Sequence, residues 1–285
     1  MDSDLQLLDS IQASRKRRVW GPFANWQELL GTVLLGGMLL AYVLCLIFSP
    51  YDPSTFDASA RFNPPSAQHW FGTDNYGRDI FTRAFYGGGV SLFIAFCTVL
   101  IGSIGGLLIG GIAGFFGGWV DWLLMRFNDA LMSFPSMLLA LLFVAVMGGG
   151  VLQLILAMGL LFVPSFARVV RSGFQQARGR DYIKRLTIMG AKPSRIMLVH
   201  VLPAITGQMV SAMTIGFANA ILTETSLSFL GLGIPPTQAS WGRMLYDAQA
   251  YLFSAPWYAI FPGLLIVLTV LGAYFLGTGI RQRED

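Results

Sequence analysis

The sequence predicts an all-α membrane protein with six transmembrane helices and both termini in the cytoplasm. Three observations carry that expectation. Of the 285 residues, 54% are hydrophobic and 12% charged, against about 25% charged in a soluble domain; the mean hydropathy is +0.61. Six long windows contain no Asp, Glu, Lys or Arg, the signature of membrane spans rather than of a large core. Finally, the short segment Arg168 to Pro203 holds 8 of the 19 Lys and Arg residues, and such clusters mark cytoplasmic loops.

The spans follow in order. A crossing helix needs about 20 apolar residues. The first candidate, Leu29 to Ser49, has 21 residues and follows the basic cluster Arg15-Lys16-Arg17-Arg18. It is too long for a signal-peptide core and lacks a small-residue cleavage site, so it reads as an anchor. Gly89 to Phe116 is the second span. Its glycines 102, 106, 110, 114 and 118 recur every four residues, so Gly102, Gly106, Gly110, Gly114 and Gly118 fall on nearly one face. That face lets another helix backbone approach closely. Ala130 to Met147 is the third span, with Pro135 inside it. Gly148-Gly149-Gly150 makes a tight turn into the fourth, Val151 to Ala167, which contains Pro164. Ala204 to Thr223 is the fifth and Trp257 to Ile280 the sixth. Both prolines are expected to kink their helices. In domain terms, residues 1–28 form a cytoplasmic N-terminal segment. Residues 29–88 hold the first helix and an extracytoplasmic loop, and 89–285 a five-helix core.

Orientation follows from the cations. With the N-terminus inside, only Arg61, Arg78, Arg83 and Arg243 lie outside; every other Lys and Arg is cytoplasmic, the expected bias. Two outer segments, Pro50 to Gly88 and Leu227 to Pro256, are long and rich in turn residues and aromatics. Loops of that kind tend to be folded and functional, so they are expected to cap the bundle and face an external partner. Trp257 and Tyr258 suit an interfacial aromatic belt.

Enzymatic chemistry has no foothold. The three lysines, Lys16, Lys184 and Lys192, do not follow glycine, so no phosphate-binding P-loop exists. His69 and His200 fall on opposite sides of the membrane and cannot share a metal. Cys45 and Cys97 both lie in apolar runs and form no metal or disulfide framework. No stretch has the charged, aromatic-interleaved face of a nucleic-acid binder. The drawn spans contain no ionisable residue, the nearest being Glu224 at the outer end of the fifth. That argues against a proton- or sodium-coupled carrier. Energy is therefore expected to arrive through a partner.

Four separated motifs resemble one family. Asp181-Tyr182-Ile183, Gly190-Ala191, Arg195-Ile196 and Val201-Leu202-Pro203 resemble the cytoplasmic coupling loop of ABC importer permeases. Gly72-Thr73-Asp74 with Gly77-Arg78-Asp79 is similar to a signature of the second permease subunit of dipeptide, oligopeptide and nickel importers. Glu224 to Gly233 with Ser240-Trp241-Gly242, and Asp129 to Pro135, match the same branch. The resemblance covers roughly the last three quarters of the chain. It implies half of a translocation pore for short peptides, paired as a heterodimer with a homologous permease. It also implies two ABC ATPase subunits that bind the ATP and Mg, with no cofactor in this chain, and an extracytoplasmic substrate-binding protein. The location implied is the cytoplasmic (inner) membrane, multi-pass. Nickel or a metal chelate is the alternative cargo. A stand-alone channel or scaffold is the reading from another class.

The loop also has its own local logic. Asp181 suits a helix start, Tyr182 to Met189 fits about two helical turns, and Gly190 suits their end. Pro193 is expected to prevent the helix continuing. The family's Glu-Ala-Ala positions are here Lys184-Arg185-Leu186, two cations and a bulky apolar residue. Asp74, Arg78 and Asp79 fit either a local ion-pair cluster that folds the outer loop or a contact with the binding protein.

Overall fold

The computed structural model describes residues 25–49 and 51–284. The cluster Arg15 to Arg18 lies outside the described residues. Among the described residues nine α-helices follow: α1 (Trp26–Ile47), α2 (Ile80–Phe116), α3 (Gly118–Met132), α4 (Ser136–Met147), α5 (Val151–Arg178), α6 (Asp181–Ile188), α7 (Pro193–Phe229), α8 (Trp241–Ala248) and α9 (Trp257–Glu284). No β-strand occurs among the described residues; one isolated bridge pairs Thr73 with Asp79.

The glycine face of α2 sets the architecture. A Cβ on Gly106 would lie 2.4 Å from Phe166 Cβ, one on Gly110 2.3 Å from the Ala167 carbonyl oxygen, and one on Gly114 2.7 Å from that of Arg171. Gly102 meets Phe162 and Phe166 in the same way. The residue numbers on the two helices rise together, so α2 and α5 run parallel. Gly118 does not belong to this face: it has φ +56 and nothing within 4 Å, because the helix has already ended at Phe116.

Two parallel neighbours require the chain between them to travel back. It does so through α3 and α4, which meet at 83° across a short break. The expected span Ala130 to Met147, with its expected kink at Pro135, is observed as this bent pair. Pro135 is the reason, since it has no N–H to continue a helix. Ser133 N–H bonds back to Asp129 and Ala130, and Leu138 and Leu139 bond to Pro135; none of these bonds crosses the break.

The contacts of α5 with α7 and of α1 with α9 are antiparallel. Gly173 of α5 packs on Ile205 and Gln208 of α7, whereas Gly216 of α7 packs on Phe166. Gly31 of α1 abuts the backbone of Leu276 in α9, and Gly279 abuts Glu28. One end of the bundle thus collects the start of α1, the ends of α2, α5 and α9, and all of α6.

Helix lengths exceed the hydropathy windows. α2 begins at Ile80 rather than Gly89, and its 37 residues extend about 55 Å, well beyond a hydrocarbon core of about 30 Å. α5 continues past Ala167 to Arg178, and α7 continues past Thr223 to Phe229. Pro193 does not continue α6, which ends at Ile188; it starts α7, the first-turn place where its missing N–H costs nothing. Further on, Ile196–Val201 widens into a π-helical turn. Leu202 N–H reaches back to Met197, and Pro203, which cannot bond to the preceding turn, follows directly.

The seam makes a sharp prediction. Gly110→Val places a branched side chain against backbone that cannot yield, and overpacking of this kind costs about 1–3 kcal/mol or more. Gly37, with nothing within 4 Å, should accept alanine. Thermal unfolding of the purified chain should show a large loss for the first variant and little change for the second.

Candidate functional site

At the inner end, α6 is a short helix built to be both anchored and presented. Only Gly179 and Arg180 separate it from α5. Arg180 N–H bonds back to Ala177, and its carbonyl accepts from Ile183 and Lys184, so the joint is closed on both sides. Asp181 sits in the first turn, where a carboxylate complements the helix dipole; Arg180, not Asp181, is the N-cap. Gly190 has φ +76. Gly190 N–H bonds to Thr187 and Ala191 N–H to Leu186. These are the two bonds of a Schellman ending, with Ala191 and Leu186 as its apolar pair.

Ile183 anchors the helix. It is buried in a cluster with Val170, Phe174 and Ala177 of α5 and Ile196, Val201 and Ile205 of α7. Leu186, Ala191 and Leu202 pack against the same cluster, so the bulky residue in the Lys184-Arg185-Leu186 departure faces the body of the protein. Its two cations do not: Arg185 is exposed, and Lys184 makes only a 3.3 Å bond to Asp181. The far end presents apolar surface, with Ile188 85% and Met189 81% exposed. Tyr182 is also exposed, as is Pro203.

Above α6, a set of polar links ties α3 to α5. Arg171 holds Asp121 through two bonds, Nε to Oδ1 at 2.5 Å and Nη2 to Oδ2 at 2.6 Å. Arg168 Nη2 donates to Asp129 at 2.8 Å, and Asn128 Nδ2 donates to the Pro164 carbonyl at 3.2 Å. Arg178 reaches the Phe116 carbonyl at the end of α2.

The opposite end is closed by a cap that contains the outer signature. Asp74 is completely buried and accepts from Arg78 Nε at 2.7 Å, Arg78 N–H at 2.9 Å and Tyr76 N–H at 2.8 Å. Arg83 lies 3.6 Å from the same carboxylate and donates to the Pro53 carbonyl. Arg78 stacks over Tyr76 and Phe56. Asp79 caps α2 by accepting from Thr82 N–H and also holds His69 Nδ1 at 2.9 Å. His69 is mostly buried against Tyr51, not exposed as its isolation in sequence suggests. Thr73 donates its hydroxyl to the Ala60 carbonyl. Gly72 and Gly77 both have positive φ and leave no room for a side chain: a Cβ would meet Asn63 and Trp257, or Asp57. Among these residues the ion-pair reading of Asp74 and Arg78 is the observed one. At the cap's edge, Ser59 donates its hydroxyl and its N–H to Asp57, which holds that carboxyl below the usual carboxylate range.

Several residues here were not expected from sequence. Glu224, near the outer end of α7, is completely buried, accepts from Ser228, and has Ser91, Thr225 and Ser240 around it. Tyr258 is also completely buried, which does not suit an aromatic belt, and the partly buried Trp257 donates its indole N–H to the Thr73 carbonyl. Trp241 donates its indole N–H to Ala84 and its backbone N–H to Ser91. Arg243 pairs with Asp247 at 2.8 Å. A four-residue spacing hints at Asp74 with Arg78 and at Arg243 with Asp247. Nothing in sequence hints at Asp121 with Arg171, which are 50 residues apart. Among the described residues, no cluster of three or more His, Cys, Asp or Glu side chains is placed to hold a metal.

Residues 106–284 match the family described as binding-protein-dependent transport system inner membrane component. The chain belongs to that family. As an inner membrane component it is a multi-pass protein, consistent with its long apolar helices. It is 40% identical to the dipeptide transport system permease protein of Alkalihalophilus pseudofirmus, over 92% of this chain and 86% of that one. It is 36% identical to the oligopeptide transport system permease protein of Bacillus subtilis, over 92% and 86%. The glutathione transport system permease protein of Pectobacterium atrosepticum is 36% identical, over 99% of this chain and 95% of that one. The ABC importer permease resemblance read from the four motifs therefore holds.

The cap yields its own prediction. Asp74→Ala leaves Arg78 and Arg83 buried without their counter-charge, and breaking such a pair costs about 3–5 kcal/mol. Limited proteolysis within residues 51–79 should become rapid in that variant, while the helices below stay resistant.

Proposed function

We propose that this inner membrane component forms half of the pore of an ATP-driven importer of short peptides. It pairs with a homologous permease, and two separate ATPase subunits bind the ATP and Mg. An extracytoplasmic binding protein delivers cargo to the capped end. The end that carries α6 faces the cytoplasm, as the concentration of Arg and Lys around it favours.

The observation that carries this reading is the construction of α6. One face is locked into the bundle through Ile183, and the other end holds Ile188 and Met189 exposed beside Lys184 and Arg185. An exposed apolar tip of that kind is a partner surface. Because the joint to α5 is only two residues long and fully bonded, a push on α6 moves α5 as a rigid body, the kind of motion that switches access in transporters. The peptide cargo is supported by relatives whose names specify dipeptide, oligopeptide and glutathione transport.

ATP hydrolysis by the reconstituted assembly, with and without short peptides, tests the proposal. Stimulation by peptides is the expected result. Stimulation only by nickel or a metal chelate would keep the architecture and overturn the cargo, and absence of ATPase association would favour a stand-alone membrane protein. Ile188→Glu, at a site 85% exposed, should lower peptide-stimulated hydrolysis about tenfold, the loss of one apolar contact hot spot.

A further inference from the structure

Helix α3 hangs between two loose joints. At its start, Gly117 and Gly118 have φ +67 and +56, conformations that glycine adopts without penalty. At its end is the break over residues 133–135, which the flanking backbone bonds do not cross. α3 buries little that would hold it, only Met125 and Asn128. What fixes its position is the set of polar links to α5. Asp121 accepts two bonds from Arg171, and Gln175 also reaches it at 3.5 Å. Asp129 pairs with Arg168, although both are about half exposed.

The two halves of this set differ in weight. The Asp121–Arg171 pair is bidentate and shielded, with Asp121 14% and Arg171 35% exposed. Paired hydrogen bonds between opposite charges in that setting are strong and directional. The Asp129–Arg168 pair, more exposed, contributes less. α5, on the other side of these links, is continuous with α6 through Gly179 and Arg180.

We propose that Asp121 and Arg171 are positioning residues that lock α3 to α5, so that movement of α6 is delivered to the hinge at residues 133–135. α4 then turns relative to α3. It is free to do so because only Ala140 and Val144 of α4 are buried, a narrow stripe one turn apart. Without the lock, α3 swivels at Gly117–Gly118 and the movement of α6 is lost before it reaches α4. This inference rests on the function proposed above, but its first test does not.

That test is a distance measurement. Spin labels at Trp119→Cys and Gln176→Cys, both exposed sites, are placed in the purified chain after Cys45→Ala and Cys97→Ala. Asp121→Asn should broaden the distance distribution between them, and the exchanged pair Asp121→Arg with Arg171→Asp should narrow it again. An unchanged distribution in Asp121→Asn overturns the lock. The second test uses the full transporter with its ATPases and binding protein. Peptide moved per ATP hydrolysed should fall about tenfold in Asp121→Asn, the effect of losing one bidentate charged contact. ATP hydrolysis itself should persist, and the exchanged pair should recover the ratio. Should Asp121→Asn fail to assemble, Asp129→Asn, at an exposed site, should give a smaller fall in the same ratio. A broadened distribution with an unchanged ratio overturns the delivery role while keeping the lock. Failure of any ATPase to bind the chain leaves the distance test standing and removes the function instead.

Discussion

The close approach of α2 to α5 is the contact from which the rest of the molecule follows. In lipid there is no hydrophobic force between helices, so association relies on dispersion and close backbone packing. Gly102, Gly106, Gly110 and Gly114 supply that contact by removing every side chain from one face. Because the two helices run parallel, the intervening chain has to cross back. It does so as a bent pair, since Pro135 forbids a straight helix. The same seam brings the arginines of α5 beside the aspartates of α3, and it carries α5 to the point where α6 begins.

The opposite end obeys a different rule. There, residues from three stretches of sequence meet around buried charge. Asp74 takes Arg78 and Arg83, Asp79 takes His69, and Glu224 sits among hydroxyls. Burying a charge is costly unless it is paired and hydrogen-bonded, and the carboxylates of Asp74 and Asp79 meet that condition with several donors each. Such a cluster is less a source of stability than of specificity, because misplacing one strand of the cap leaves a charge unmatched. The aromatic residues wedge the same structure closed: Phe71 stacks on Phe261, and Trp70 and Phe71 meet Phe81 edge-on.

Much of this was legible in the sequence, for reasons that differ by region. Uncharged windows located the long helices because desolvating a charge in lipid is prohibitive. The turn of glycines at 148–150 and the end of α6 at Gly190 were readable because positive φ favours glycine. The four-residue glycine repeat named a packing face but not its partner, nor that Gly118 falls outside it. Hydropathy located the third span and Pro135 the place of its bend, but not the 83° size of that bend, because hydropathy measures transfer, not direction. The burial of Tyr258 and Glu224 is created by α8 and the cap folding over them, which no local pattern records. Pairs such as Asp121 with Arg171 have no local signal at all.

Helix α1 raises a matter of sequence in time. In its most apolar window only 11% of residues are buried, and its tight backbone contacts, through Gly31, are with α9. A chain inserted from its N-terminus therefore exposes α1 to lipid through the whole period of synthesis. Its partner surface at Gly272 and Leu276 emerges about 240 residues later. Contacts so distant along the chain form late and slowly, so α1 is among the last helices to be docked. Until then its retention depends on apolar length alone, which accounts for a helix that is rich in leucine, nearly devoid of charge and long enough to remain in the bilayer unassisted.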